Sequence, residues 1–190
     1  MFGTPSQTVG PYLRIGLEWL DGGDLIKQAS ATQIPGKRIT ITGKVIDGNG
    51  TLVPDAVLEF WQADASGVFP TLDADRKPTQ AFRGFARICT DADGSFTLKT
   101  ILPGATDGPK GQRQAPHIGV QVAMRGLLKP LYTRVYFPEV AANALDPLLN
   151  AVPAARRATL IAQAAGEDTF TWNVVVQGVG EHVETAFFDF

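Results

Sequence analysis

The chain has 190 residues, with 17 lysines and arginines against 19 aspartates and glutamates, a net charge of −2, and 44% hydrophobic residues. These values are typical of one soluble globular domain and exclude a disordered, collagen-like or coiled-coil protein. The near-zero charge leaves no basic patch of the kind that binds nucleic acid or anionic lipid. The single cysteine, Cys89, excludes an intrachain disulfide framework and a thiolate metal site, so we expect it to pack in a strand.

The N-terminal sequence lacks the features of a targeting segment. It contains no charged region followed by an apolar run, and no stretch of the chain approaches the roughly 18 apolar residues that span a bilayer. We therefore predict a cytoplasmic location.

Short runs of alternating polar and apolar residues predict a mainly β fold, a mixed β-sandwich. Residues 38–46 place Ile39, Ile41 and Val45 on one face, which is the pattern of a half-buried strand. The 20 glycines and 13 prolines indicate many turns between short strands. Further strands are predicted at 57–62, 85–90, 95–101, 117–124, 131–137 and 170–177, with 186–190 as a candidate last strand.

The segments between the strands carry turn signals and one helix signal. Residues 47–50 (DGNG) and 91–94 (DADG) have turn composition, and the second turn is interpreted as a hairpin. One or two short helices are expected in all, and one is predicted at 154–165, which is rich in helix formers. Residues 66–82 and 103–116 have no strand pattern, and loops of this length in a compact domain are usually functional.

Several of these segments together resemble the intradiol ring-cleavage dioxygenases. The resemblance lies in VIDGNG at 45–50, in VPDAVLEFWQADASG at 53–67, in TDADGSFTLKTILPG at 90–104 and in APHIGV at 115–120. Enzymes of this family bind Fe(III) and insert both atoms of O2 between the two hydroxyl-bearing carbons of a catechol. The resemblance implies a mixed β-sandwich, in agreement with the strand pattern.

The family binds its iron through two tyrosines and two histidines, and this chain departs from that pattern at three of the four positions. Phe69 and Thr106 stand where the resemblance places the tyrosines. Gly119 stands where it places the second histidine, which leaves His117 alone. Gln114 replaces the arginine that precedes the first histidine in catalytic chains. Since one imidazole cannot bind a metal tightly, we predict that this chain holds no metal and supplies no catalytic residue.

Other segments resemble, more narrowly, the α chains of two-chain members of the family. These segments are TPSQTVGPY at 4–12, MRG at 124–126, TRVYF at 133–137 and ETAFFDF at 184–190. In such enzymes an α chain without iron pairs with an iron-bearing β chain, and the active site lies at their interface. The resemblance therefore implies Fe(III) in a partner β chain, a hetero-oligomer of αβ units, and protocatechuate as the substrate.

The resemblance also implies that this chain lines the substrate pocket of its partner. Protocatechuate carries a carboxylate that plain catechol lacks, and a hydroxyl and a guanidinium can select for it by charge-assisted hydrogen bonds. We expect an N-terminal arm at 1–37 that reaches the partner and a sandwich core at 38–190, within one domain spanning 1–190. The residues assigned to substrate binding are Thr8, Gly10, Pro11, Tyr12 and Arg125.

Two other interpretations stay open from the residues alone. A non-enzymatic binding module, related to transthyretin-like or carbohydrate-binding domains, would explain the fold but not the conjunction of TPSQTVGPY with Arg125. A self-sufficient iron enzyme that uses His117 with Tyr12, Tyr132 or Tyr136 would require a rebuilt site.

Overall fold

The computed structural model describes residues 3–17, 22–27, 34–72, 74–75, 81–178 and 180–189. Short strands dominate this part of the chain. The strands are β1 (Arg38–Ile46), β2 (Val57–Trp61), β3 (Phe85–Cys89), β4 (Ser95–Ile101), β5 (Thr106–Asp107), β6 (Arg113–Gln114), β7 (His117–Ala123), β8 (Leu131–Tyr136), β9 (Gln163–Gly166), β10 (Thr169–Thr171) and β11 (Val174–Val175). The α-helices are α1 (Tyr12–Leu17), α2 (Pro147–Ala151) and α3 (Ala154–Arg157), and 3-10 turns lie at Pro109–Gly111, Ala141–Leu145 and Ala158–Leu160.

The first sheet is built around β1. Strand β4 pairs antiparallel with it along one edge, where Ile41 lies opposite Leu98. Strands β10 and β11 pair parallel with successive parts of β1, and β9 extends the sheet beyond β10. A strand has only two edges. Since β4 pairs with one edge of β1, β10 and β11 both pair with the other edge.

The second sheet has the order β3, β2, β7, β8, and all its neighbouring strands are antiparallel. Its central pair, β2 and β7, is in register from Val57 opposite Ala123 to Trp61 opposite Gly119. On the outer side of β7, His117 lies opposite Tyr136 of β8. This register decides which side chains share each end of the sheet.

The main core lies between the two sheets. Phe60 of β2 and Phe96 of β4 join them, with ring centroids 5.7 Å apart. A smaller apolar cluster around Tyr136, Leu149 and Leu160 packs beyond β8. The predicted mixed β-sandwich is confirmed, with three short α-helices in the described residues where one or two were expected.

The alternation of polar and apolar residues located most strands correctly. Strands β1 and β4 have the predicted bounds, and Ile39, Ile41 and Val45 are buried as expected. Strands β2, β3, β7 and β8 each end one residue earlier than predicted. Cys89 is half-buried at the end of β3, as predicted.

The helix predicted at 154–165 is wrong. Only Ala154–Arg157 is α-helical, a 3-10 turn follows, and residues 163–166 form β9. The backbone N–H of Ala162 donates to the carbonyl of Tyr136 at 2.9 Å, and Leu160 is fully buried. Pairing with the edge of β8 and with β10 therefore overrides the helix propensity of an alanine-rich segment.

Two further strand predictions are corrected. The strand predicted at 170–177 is split into β10 and β11, because the Asn173 side chain, rather than a backbone carbonyl, accepts the N–H of Lys44 at 2.9 Å. A last strand was predicted as a candidate at 186–190. In the described residues 186–189, the structure has only a single β-bridge, between Phe188 and Tyr132. Residue 190 lies outside the described residues.

The turn at 91–94 is not a hairpin. It is closed locally by the N–H of Gly94, which donates to the Asp91 carbonyl at 3.0 Å. Strand β3 pairs with β2, however, whereas β4 pairs with β1. The turn thus carries the chain from one sheet to the other, a connection that turn composition alone does not distinguish from a hairpin.

The segment before β1 contributes to the core as well as to the surface. Leu25 and Ile34 are buried in the main core, whereas most of residues 3–17 are exposed. The division into an arm and a core stays a prediction. Within the described residues, no helix is long and apolar enough to cross a membrane; the cytoplasmic location also stays a prediction.

Candidate functional site

Two loops that carry predicted ligand positions pack against each other beside the second sheet. The carbonyl of Asp64 accepts the N–H of Gly104 at 2.8 Å, and its side chain accepts the N–H of Val68 at 3.0 Å. Gly67 has a φ of +87° and lies so close to the Ala105 carbonyl that a Cβ would clash with it. Glycine is therefore required in the turn that presents Phe69.

A cavity of about 220 Å³ opens beside this turn, at the end of the second sheet. It brings together three of the four predicted ligand positions: Phe69, His117 and Gly119 line it. The fourth, Thr106, does not line it; its side chain is buried, with no hydrogen-bond partner for its hydroxyl among the described residues. The remaining wall is formed by Trp61, Val120, Gln121, Tyr132, Thr133 and Arg134.

His117 is a buried, neutral histidine. Its Nδ1 lies 2.7 Å from the Ala115 carbonyl, which can only accept, so Nδ1 carries the proton. Burial, with a smaller contribution from the Arg134 cation, lowers the pKa of His117 to about 4, although the bond to the Ala115 carbonyl opposes the shift. His117 is therefore a neutral histidine that is hydrogen-bonded to the backbone.

This lowered pKa predicts a loss of stability in mild acid. An unfolded histidine titrates near 6.5, so between pH 6.5 and about 4 the unfolded chain binds a proton that folded His117 does not. The contribution is present above pH 6.5 and is lost as the pH falls. We expect it to lower the free energy of unfolding by about 2 kcal/mol between pH 7.5 and 5.0.

Urea unfolding of His117→Phe at the two pH values measures this term. The variant should lose about 2 kcal/mol less than the wild type between them, whatever its absolute stability. His182→Gln is the matched control, because its side chain is exposed. An equal pH dependence in the wild type and His117→Phe would contradict the prediction.

Three of the four ligand positions implied by the resemblance supply no donor for ferric iron in this cavity. Phe69 and Gly119 have no donor atom, and Thr106 lies outside the lining. Tyr136 donates its phenolic O–H to Asp146 at 3.0 Å, and burial raises its pKa further above the ordinary value, so it stays protonated. Within the described ranges, no three His, Cys, Asp or Glu side chains come together as a metal site. The residues present do not fit the family's iron.

The residues assigned to substrate binding lie elsewhere on the surface. Arg125 stands in the turn after β7, with 59% of its side chain exposed, and its Nε forms an ion pair with Asp55. Thr8 accepts the N–H of Gly126 at 2.8 Å, which ties the N-terminal segment to this turn. Arg14 of α1 donates to the Pro54 carbonyl at 2.8 Å. We call Thr8, Gly10, Pro11, Tyr12, Asp55 and Arg125 the N-terminal patch.

The structure brings the five predicted substrate-binding residues into one region of the chain. Gly10, Pro11 and Tyr12 lie between two anchored points, Thr8 and Arg14, and the carbonyl of Gly10 accepts the N–H of Leu13 at 3.1 Å. Tyr12 is 81% exposed. Residues 8, 10, 11 and 12 are thus all exposed and accessible to another surface.

The N-terminal patch and the cavity lie at opposite ends of the β2–β7 pair. Trp61 and Gly119 are paired at the cavity end, and Val57 and Ala123 at the end that leads to Asp55 and Arg125. Four residues along a strand span about 13 Å. A ligand held in this chain's cavity is thus out of reach of its own N-terminal patch.

Two residues with a part in these sites were missed from the sequence. Asp55, in the turn before β2, holds Arg125, and only 12% of its side chain is exposed. Arg134 of β8 lies opposite Gly119 and donates to Gln114 at 3.1 Å. The acidic residue in VPDAV was a usable signal for Asp55, whereas the place of Arg134 depends on the register between two strands.

This chain is similar in sequence to both chains of a two-chain dioxygenase. A family model described as "Dioxygenase" matches residues 20–178. The protocatechuate 3,4-dioxygenase alpha chain of Burkholderia cepacia is 43% identical over 198 residues, covering 98% of this chain and 96% of that protein. The beta chain from the same organism is 32% identical, covering 82% of this chain and 71% of that protein.

Solved structures also include similar folds. The dioxygenase domain of a dioxygenase carbohydrate-binding protein fusion from Streptomyces sp. SirexAA-E matches with a TM-score of 0.60 and 28% identity. The match covers 97% of this chain and all of that one. The sandwich fold is therefore shared with a solved dioxygenase domain over nearly the whole chain.

Proposed function

Because the chain belongs to the intradiol dioxygenase family, we propose that it is the iron-free α subunit of a protocatechuate 3,4-dioxygenase. An Fe(III)-bearing β subunit is its partner, in a hetero-oligomer of αβ units. The iron of that subunit supplies the chemistry that activates 3,4-dihydroxybenzoate toward O2 and yields 3-carboxy-cis,cis-muconate. This chain completes the substrate pocket and contributes no catalytic residue.

The observation that carries the proposal is the separation of the N-terminal patch from the cavity. Arg125 and Tyr12 are exposed, whereas the cavity of the same chain opens at the far end of the sheet. Residues that bind a substrate carboxylate must lie next to the reacting ring. Since this chain cannot bring its own cavity and patch together, the patch acts on a site in another chain.

The ion pair between Asp55 and Arg125 prepares the guanidinium for a carboxylate. Asp55 engages Nε of Arg125, and no second acidic residue among the described residues forms an ion pair with this guanidinium. The two terminal nitrogens together form a fork that matches a carboxylate in a bidentate pair. Asp55 is thus a positioning residue, which fixes the side chain so that less conformational entropy is lost on binding.

The remaining patch residues shape the pocket wall. Thr8 anchors the segment to the turn that carries Arg125, and the fixed φ of Pro11 limits the motion of the chain beside it. Gly10 permits close approach of a backbone to the substrate. Tyr12 offers a large exposed ring at the start of α1.

Joint production with a candidate β chain tests the proposal. We expect iron, visible ferric-tyrosinate colour and protocatechuate-dependent O2 uptake in the joint preparation, and none of the three in this chain alone. The measurements are metal content, absorption spectrum and an oxygen electrode trace. Iron and turnover in the lone chain would overturn the assignment, as would failure of the two chains to form an active complex.

A further inference from the structure

The cavity between β2, β7 and β8 has the walls of a site for an aromatic ring. Trp61, Phe69 and Tyr132 line it, and these residues are 53%, 47% and 40% exposed. Single exposed aromatic residues are common on protein surfaces. Several that surround one concave feature are more typical of a binding site.

The same cavity contains a cation, Arg134, that forms no ion pair within the described part of the chain. Arg134 lines it and is half-buried. Its guanidinium donates to the Gln114 side chain at 3.1 Å and lies beside the phenol of Tyr136, both neutral groups. The buried Asp146 carboxylate accepts the O–H of that phenol at 3.0 Å and is itself bound by three backbone N–H groups, so the phenol stands between it and Arg134. No carboxylate among the described residues forms an ion pair with it. A partly desolvated, unpaired guanidinium stabilises an anion that enters its surroundings.

Gly119 keeps the space in front of Arg134 open. The two residues are paired across β7 and β8, and a Cβ at Gly119 would meet no atom closer than 3.6 Å. Its backbone is not in the left-handed region, so a side chain is tolerated here without strain. The absence of a side chain therefore creates volume and is not required by the fold.

We propose that this cavity is a metal-free binding site for a small aromatic carboxylate of the benzoate type. The carboxylate pairs with Arg134, and the ring lies against Trp61 and Phe69. The volume fits such a ligand, because an engineered apolar cavity of about 150 Å³ holds benzene, and 220 Å³ leaves room for a carboxylate. The mainly apolar aromatic wall favours an aromatic anion over a strongly hydrated inorganic one.

This site goes beyond the proposed function and does not depend on it. The N-terminal patch acts on the partner's pocket, whereas the cavity lies at the other end of the β2–β7 pair and binds its ligand without turnover. Each αβ unit then has one catalytic site and one separate site for an aromatic acid.

Binding of benzoate to the full-length chain, in whatever assembly it purifies, tests the inference. Calorimetry and tryptophan fluorescence would follow the titration in the wild type, Arg134→Gln and Gly119→Ile. We expect saturable binding in the wild type, at least about tenfold weaker binding in Arg134→Gln because a charge-assisted bond is lost, and no binding at this site in Gly119→Ile. If a partner chain co-purifies and binds benzoate itself, that binding is the same in all preparations and does not affect the difference between the variants and the wild type.

The probes and controls separate charge from shape. Benzamide, which has the ring without the charge, should bind at least about tenfold more weakly than benzoate to the wild type. Arg113→Gln removes an exposed cation that pairs with Asp107 outside the cavity, and it should bind benzoate like the wild type. Equal benzoate binding in the wild type, Arg134→Gln and Gly119→Ile would overturn the proposal. Competition by inorganic phosphate with equal strength would also overturn it.

Discussion

Arg125→Ala is expected to raise the KM of the αβ enzyme for protocatechuate by roughly 10- to 100-fold, with a smaller effect on kcat. The guanidinium binds a carboxylate that does not take part in the reaction, so its loss removes binding of the substrate and of the transition state alike. A charge-assisted bond to a carboxylate is worth about 1.5–3 kcal/mol, which corresponds to this range. Steady-state oxygen uptake by the reconstituted complex measures it.

Catechol is the internal control for this prediction, because it lacks the carboxylate. Its KM should be unchanged in Arg125→Ala, whereas a general defect in assembly would alter both substrates. Lys129→Ala removes an exposed cation from the same β7–β8 connection and should behave as the wild type. Unaltered protocatechuate kinetics in Arg125→Ala would remove Arg125 from the pocket.

Asp55→Asn tests the positioning role and should give a smaller effect of the same kind. The amide keeps the shape of the side chain but weakens its hold on Nε of Arg125. We expect a rise of about 3- to 10-fold in the KM for protocatechuate, consistent with the loss of roughly 1 kcal/mol of preorganisation. The KM for catechol should again stay constant, which a purely structural role would not predict.

Asp146→Ala is expected to destabilise the chain by about 3–5 kcal/mol. Asp146 is fully buried and accepts four hydrogen bonds. Its donors are the N–H groups of Leu148, Leu149 and Ala115 at 3.0, 2.8 and 2.8 Å, and the Tyr136 hydroxyl at 3.0 Å. Alanine leaves these donors without an acceptor and opens a gap between α2, β8 and the strand that begins at His117.

Urea unfolding at pH 7.5 measures this loss as a shift of the midpoint at constant m-value. Asp146→Asn should lie between the wild type and alanine, because an amide presents one acceptor oxygen and a donor that faces N–H groups. Asp107→Ala is the matched control: its ion pair with Arg113 is exposed and contributes at most about 1 kcal/mol. A loss below about 1 kcal/mol in Asp146→Ala would contradict the prediction.

The strand pattern was predictable because side-chain alternation is a local property. In β1, the residues Ile39, Ile41 and Val45 alternate with polar ones, and burial follows that order. The alanine-rich segment at 154–165 shows the limit of local reasoning. Its propensity favours a helix, but the edge of β8 offers backbone groups that residues 161–162 satisfy, and this pairing is invisible in the sequence.

The candidate sites divide in the same way. Side-chain chemistry alone showed that Phe69 and Gly119 cannot bind iron, since neither has a donor atom. The partner of Arg125 could not be predicted with certainty, because Asp55 and Arg125 are 70 positions apart in the chain and meet only when β2 pairs with β7. The same holds for Arg134, whose place opposite Gly119 follows from the register of β7 and β8.

The sequence by itself determined the class of fold, the positions of most strands and the loss of the family's iron-binding side chains. These features depend on the identity and local order of the residues, and both can be read directly from the sequence. Only the tertiary structure decided that the N-terminal patch and the cavity stand at opposite ends of one strand pair, and that the Arg134 guanidinium lies within aromatic walls. Those relations depend on strand register between distant segments, which is decided by packing of the whole core and not by any one segment.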